Sequence, residues 1–208
     1  MKNLIRRVLE ISRDYHHSHL PGTLSALQIM APIFASIKPE DVFILSKGHA
    51  AVALYACLEQ KGHKPNLSRT HPERDPDNGI TCTTGSLGHG LPTGLGIALA
   101  KSLKGEAGTV HVLMGDGECL EGTTWESLNL AEQLGVFNLR VHIDGNGAGA
   151  LGEVRCPMAP VRAARCFPQW VTLAETDKGH GVSCLKGTMD HKRVLTEQEY
   201  AQAMEELR

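Results

Sequence analysis

The tightest constraint on this chain is a pattern that recurs along it. A short apolar, β-branched run ends in a glycine-rich polar turn, and a segment of helical period follows. Thr109 to Met114 runs into Gly115-Asp116-Gly117, and Leu139 to Ile143 runs into Asp144-Gly145-Asn146-Gly147. Short apolar runs bounded by turn residues suit strands covered on both faces. Phe43 to Leu45, ending in Ser46-Lys47-Gly48, and Trp170 to Ala174 read the same way, and Gly79 to Thr84 reads as a further small strand. Between them lie helical stretches. Lys2 to Tyr15 carries a stripe of Leu4, Ile5, Val8, Leu9 and Ile11; Leu24 to Ile37 and His49 to Gln60 follow. Another helix has Pro92 in its first turn and stops at Gly105, as proline-in, glycine-out asymmetry predicts. Thr196-x-x-Glu199 is a capping box opening a last helix. Alternation of this kind predicts an α/β fold: a doubly wound, mostly parallel sheet with helices on both faces. Lys61 to Asn78 is a polar stretch with three prolines, and long loops inside compact folds are usually functional.

In a parallel sheet, ligands bind at the carboxyl ends of the strands. Asp116 and Asn146 fall at two such ends, 30 residues apart, which leaves room for one helix and one strand between them. A carboxylate, an amide oxygen and a nearby carbonyl are hard oxygen donors suited to Mg²⁺, which keeps waters and phosphate oxygens in its octahedron. The flanking glycines let backbone approach a diphosphate. Either turn alone reads as ordinary Asp-Gly or Asn-Gly turn chemistry; two of them, one crossover apart, point to a site. Gly94-Leu95-Gly96 follows Pro92 inside a helix, lacks the strand-to-helix context of a dinucleotide fingerprint, and is set aside.

The remaining numbers exclude classes. A net charge of −2 with no basic run longer than Arg6-Arg7 argues against nucleic acid. The longest apolar run, Ala50 to Leu58, is too short for a membrane span, and the arginines at positions 6 and 7 break up any secretory signal, so a cytoplasmic protein is expected. The six cysteines form no C-x-x-C pair and read as buried or free thiols.

Five blocks in order carry a resemblance to the N-terminal, diphosphate-binding domain of transketolases, particularly the form split over two chains. They are SHLPGTLSA (18–26), FILSKGHAAVALYACLEQKG (43–62), TTGSLGHGLPTGLGIALA (83–100), GDGECLEGTTWESLNLA (115–131), and KGHGVS (178–183) followed by His191. The resemblance runs from about Leu4 to Leu207. It implies a thiamine-diphosphate-binding half, expected as a single domain over residues 1–208, that helps move a two-carbon ketol unit between sugar phosphates. It implies Mg²⁺ held by Asp116, Asn146 and the carbonyl of Ala148, with Gly117 at the diphosphate. Gly85, Ser86 and Leu87 would line the aminopyrimidine side. His49 and His191 would sit at the diphosphate and reaction centre, and His19 and His71 at the sugar or as proton carriers, a role suited to imidazole. Taken singly, each histidine has a plainer reading as a cap, a solvated side chain or an adventitious metal ligand. His16, His17, His63, His89, His111, His142 and His180 keep such a reading. Glu121 would lie near the subunit interface. Glu126 has a rival explanation, as the reach-back member of a Thr123-x-x-Glu126 capping box.

Two departures from the family matter. The activating glutamate belongs to its pyrimidine-binding domain, which this sequence does not contain, so a separate C-terminal-type transketolase subunit is expected as partner, two copies of each chain. And only 22 residues separate Asn146 from Pro168, a stretch including Pro157 and Pro160 where the family usually has another helix and strand. The domain is therefore expected to be trimmed after Asn146, with a strand missing from its sheet and some consequence for the metal site. Smaller departures are His89 and Lys192. Alternatives are another thiamine-diphosphate enzyme, such as a decarboxylase or an acyloin or deoxysugar synthase, and a catalytically silent partner subunit.

Overall fold

The computed structural model describes residues 1–149, 152–153, 156 and 158–208. Its centre is a four-stranded parallel sheet in the order β1-β2-β3-β6, built from β1 (Val42–Leu45), β2 (Val110–Gly115), β3 (Leu139–Gly145) and β6 (Val171–Glu175). Leu45 pairs with Leu113, Gly115 with Asp144, and Gly145 with Glu175, so the three turns that follow β1, β2 and β3 emerge along one rim. A separate two-stranded antiparallel pair, β4 (Ala148–Gly149) and β5 (Gly152–Glu153), follows β3 directly.

Both faces are covered. Phe43, Leu45 and Leu113 point into a core shared with α1 (Lys2–Asp14), α2 (Leu20–Ser36) and α3 (Ala51–Gln60). Ile44, Val112, Met114, Val141 and Ile143 point the other way, against α4 (Gly90–Lys104), α5 (Gly122–Leu134) and α6 (Met158–Cys166). The stripe Leu4, Ile5, Val8, Leu9 and Ile11 is buried throughout, as a one-sided apolar helix requires. Every residue of α3 from Ala51 to Leu58 is buried, which matches its apolar circumference. The last helix, α7 (Glu197–Glu206), opens on the expected box: the Glu199 amide donates to Thr196 Oγ1, and the Thr196 amide donates back to the Glu199 carboxylate.

Four sequence expectations change. Gly79 to Thr84 is not a strand; it makes one isolated bridge, Asp75 with Ile80. Only Ile80 in it is buried, so it has no apolar face to seat against the sheet; Thr84 instead donates its hydroxyl to the Leu45 carbonyl at 2.7 Å. The second helix starts at Leu20, because Pro21 falls in the first turn, where its missing N–H leaves nothing unpaired. Thr123 is not a cap: α5 begins at Gly122 with Glu121 at its N-cap, and the Thr123 hydroxyl donates to the Gly88 carbonyl at 3.0 Å. The capping-box explanation of Glu126 therefore falls away. Finally, the short crossover after β3 does keep a helix, α6, with Pro160 in its first turn; Pro157 lies outside the described residues. Arg162 of this helix stacks over Trp125 of α5. Among the described residues, β6 is the next strand of the main sheet after β3.

Helix α4 crosses β2 at Gly94, where an added Cβ would lie 2.5 Å from Val112 Cγ2; at Gly96, two residues on, it would meet nothing within 4 Å. Gly94→Ala is thus expected to destabilise the fold by about 1–3 kcal/mol through overpacking. Gly96→Ala should stabilise it by up to about 1 kcal/mol through helix propensity. Urea denaturation of the two variants checks the opposite signs.

Candidate functional site

The rim formed by the strand ends is closed by loops into a cavity of about 180 Å³. Its floor is the turn after β2. Asp116, almost fully buried, accepts hydrogen bonds from the amides of Gly117 at 2.8 Å and Gly147 at 2.7 Å. The second bond joins the ends of β2 and β3. Burial pushes the Asp116 carboxyl above its usual range, opposed by the Gly147 amide and the nearby Lys47. Asn146 accepts the Ala148 amide at Oδ1 (3.0 Å) and donates from Nδ2 to Ser25 Oγ (3.0 Å).

Behind this floor lie charges that the sequence alone did not single out. Lys47, from the turn after β1, and Asp144, from β3, form an ion pair with both side chains at 1% exposure or less. Lys47 also donates to the Gly22 carbonyl at 3.3 Å, and Asp144 accepts from Ser25 at 2.7 Å and from Thr176. Glu118 is also buried and receives three donors: Ser46 Oγ at 2.6 Å, the Gly88 amide at 2.9 Å and the Gly115 amide at 2.8 Å. Burial pushes its carboxyl up while those donors pull it down, and a geometry that only accepts suits the ionised form. Sequence held one signal for these groups: Lys47 and Glu118 stand in the polar turns after β1 and β2.

Four imidazoles form one wall. His19 lies 5.7 Å from His49, 6.0 Å from His71 and 5.0 Å from His191 between ring centroids, and His49 lies 5.0 Å from His191. They come from four loops. His19 caps α2, and its strand-like bridge to Arg193 brings in the loop of His191. The His71 backbone carbonyl accepts the Tyr55 hydroxyl of α3 at 3.1 Å. Gly85, at φ 147°, presses on the His71 ring, where a Cβ would sit 3.1 Å from Cδ2. Burial, then mutual repulsion with neighbouring cations and imidazoles, pushes His19 down to about 4; His49, buried and beside Lys47, is pushed down to about 2. His71 and His191 are lowered for the same first reason. At neutral pH all four rings are neutral.

The cavity is thus lined by His19, His49, His71, His191, Gly85, Leu87, Asp116, Gly117, Asn146 and Ala148 of the expected residues, together with Lys47, Glu118 and Lys178. Ser86 and Glu121 stay outside it, both exposed on the adjoining surface. The cluster His16-His17-His19 does not converge. His17 is buried with Nε2 2.7 Å from the Leu67 carbonyl, and His16 lines a small cavity beside α7. Among the described residues no three His, Cys, Asp or Glu side chains come together as a metal centre. A metal at Asp116 and Asn146 would have one carboxylate and neutral oxygens from the protein, a donor set that suits Mg²⁺ only when a ligand supplies anionic oxygens. No helix among the described residues is long and apolar enough to cross a membrane.

Known proteins share this arrangement to a measurable degree. The family described as transketolase, thiamine diphosphate binding domain, matches residues 25–199. One of the two subunits of the apulose-4-phosphate transketolase from Actinobacillus succinogenes is 29% identical over 241 aligned positions, covering 91% of this chain and 87% of that protein. That alignment is longer than the present chain, so part of the relative has no counterpart here. A 6-deoxy-6-sulfo-D-fructose transketolase subunit of Clostridium sp. (strain MSTE9) is 34% identical over 151 positions, 62% of this chain and 55% of that one. In fold, a transketolase from Pichia stipitis superposes with a TM-score of 0.79 at 21% identity, and one from Campylobacter jejuni with 0.77 at 20%. Each covers 99% of this chain, which spans only 40% and 42% of theirs.

The lowered histidines have a stability consequence. A folded pKa below the unfolded value of about 6.5 means that the unfolded chain binds more protons, so stability is lost as pH falls below about 6.5. For His49 that window runs down to about 2, and for His19 to about 4. The raised carboxyls of Asp116 and Glu118 act in the opposite sense, so a difference between variants is the clean readout. His49→Gln should flatten the fall in stability between pH 6.5 and 5 by at most about 1.4 kcal/mol per pH unit, one proton's worth. Urea midpoints across that range check it; parallel curves for variant and wild type would mean that His49 titrates normally.

Proposed function

The chain belongs to the transketolase thiamine-diphosphate-binding-domain family, and from that premise we propose that it is the diphosphate- and Mg²⁺-binding subunit of a two-chain enzyme moving a two-carbon ketol unit between sugar phosphates. The observation that carries this reading is the convergence, on one cavity, of Asp116 and Asn146 at neighbouring strand ends with four neutral imidazoles.

Each element of the site has a task in this reading. Asp116, Asn146 and the Ala148 carbonyl hold Mg²⁺, whose remaining positions go to diphosphate oxygens and water. Gly117 leaves open space, with nothing within 4 Å of an added Cβ, so its backbone can meet the diphosphate. Lys178, largely buried in the cavity wall, adds positive charge beside an anionic ligand. Thiamine diphosphate supplies the nucleophilic carbon for cleaving and forming a ketose carbon–carbon bond. His49 and His191 stand nearest that chemistry, and His19 and His71 face the sugar. Neutral imidazoles can take a proton from a sugar hydroxyl and return it. Crowding favours one protonated ring at a time among the four.

A second chain is part of the proposal. A cavity of about 180 Å³ is smaller than the roughly 300–1,000 Å³ that encloses a whole drug-sized ligand. Another wall must complete it, and a partner with the pyrimidine-binding domain and its activating glutamate fits that need. The relative from Actinobacillus succinogenes, itself named as one subunit of its enzyme, is matched over 87% of its length. Beside the cavity, Leu87 and Leu120 are 38% and 52% exposed, and Ser86 and Glu121 lie on the same surface. We assign this face to the partner, in a complex with two copies of each chain. The chain is read as one domain over residues 1–208, shortened after Asn146.

Asp116→Ala should abolish Mg²⁺-dependent binding of thiamine diphosphate in the assembled complex while the far-ultraviolet circular dichroism stays unchanged. His71→Ala should lower turnover of a sugar phosphate far more than it lowers cofactor affinity. Calorimetry and steady-state kinetics with the partner present separate the two. Undiminished cofactor affinity in Asp116→Ala, or ketol transfer by the chain with no second protein, would falsify the reading.

A further inference from the structure

Asn146 has two chemically different ends, and only Oδ1 can ligate a cation. Which end faces the cavity is set by its neighbours. Ser25 Oγ lies 3.0 Å from Asn146 Nδ2, 2.7 Å from Asp144 Oδ2 and 3.0 Å from the Gly22 carbonyl. A hydroxyl has one hydrogen to donate and lone pairs to accept with. A carbonyl can only accept, and so can the Asp144 carboxylate, paired with Lys47. Both therefore compete for the single Ser25 hydrogen, and neither can fill its lone pair. Of these three neighbours, the Asn146 NH₂ group alone can donate to that lone pair. A reversed Asn146 would set its oxygen against a hydroxyl oxygen with no hydrogen left for it. At the other end, the Ala148 amide donates to Oδ1 at 3.0 Å, and a reversed amide would put two N–H donors face to face.

We propose that Ser25 is a positioning residue: polarised by the Lys47–Asp144 pair, it locks the Asn146 amide with Oδ1 toward the cavity. The proposal rests on the reading of Asn146 as an Mg²⁺ ligand, which its test separates out. Ser25 is fully buried on α2, whereas the Ala148 amide belongs to the loop over the site, so the helix is the fixed end of the clamp.

Two measurements on the full chain test it. The first is calorimetry with Mg²⁺ and thiamine diphosphate, the partner being present if needed for tight binding. Ser25→Ala should weaken Mg²⁺ affinity about tenfold, the usual scale for losing an outer partner of a metal ligand. Ser25→Cys, closer in volume, should do the same. In an Asn146→Asp background, whose carboxylate has no distinct ends, removing the Ser25 hydroxyl should cost nothing further. Equal losses in both backgrounds would reduce Ser25 to packing and overturn the proposal. An Asp116→Ala variant that binds normally would instead count against the metal assignment. The second measurement needs no ligand. The Asn146 side-chain amide protons of ¹⁵N-labelled chain should be well separated and slow to exchange in wild type, and should merge and exchange quickly in Ser25→Ala and Ser25→Cys. An Asn146 resonance indifferent to both substitutions would overturn the orienting role whether or not Mg²⁺ binds.

Discussion

One buried ion pair organises the functional end of this molecule. Lys47 and Asp144 sit on strands that are not neighbours, since β2 runs between β1 and β3. Their contact draws the turns after those strands together over the end of β2, where Asp116 emerges. Burying two charges is costly unless every remaining hydrogen-bonding position is met. Here Gly22 and Ser25 of α2 and Thr176 after β6 meet them. The pair therefore fastens α2 and the last strand to the same point. Removing either partner alone would strand the other charge in the interior, a loss of about 3–5 kcal/mol. Glu118 does a similar service one layer out, tying Ser46, Gly88 and Gly115 together through one carboxylate.

Much of this was legible in the residues, for physical reasons. Short apolar runs ended by glycine and a polar residue can hardly be anything but interior strands of a parallel sheet, and β1, β2, β3 and β6 all fell where those runs lie. Asp116 and Asn146 could be paired because a parallel sheet brings its strand ends to one rim. Local patterns without tertiary support misled. Gly79 to Thr84 has strand-like residues but a single buried one, and Thr123-x-x-Glu126 has the spacing of a cap one residue inside a helix that had already begun. The buried charges stayed hidden because a lysine or glutamate in a polar turn looks the same whether solvent or protein surrounds it. Only the three-dimensional neighbours of Lys47, Glu118 and Ser25 distinguish the cases.

The four imidazoles and the charged floor divide the site electrically. The floor holds ionised groups already matched with partners. The histidine wall is kept neutral by burial and by crowding among its own members. An anionic ligand entering between them would stabilise added protons on that wall, so the capacity to take up a proton is greatest when the site is filled. Acid–base chemistry in such a wall is gated by occupancy rather than by the free chain's own acidity.

The bridge between His19 and Arg193, reinforced by the Arg193 amide donating to the Ser18 carbonyl at 2.6 Å, closes the histidine wall with residues far apart in the sequence. During synthesis the strands, the helices before them and the Asp116 turn can all emerge while His191 is still unmade. A growing chain, extended at roughly 5–20 residues per second, thus has a nearly finished scaffold and no complete cavity until the segment around Arg193 has left the ribosome. Nothing shorter can bind or turn over a ligand in the way the folded protein does, which spares the cell half-built copies that would sequester cofactor.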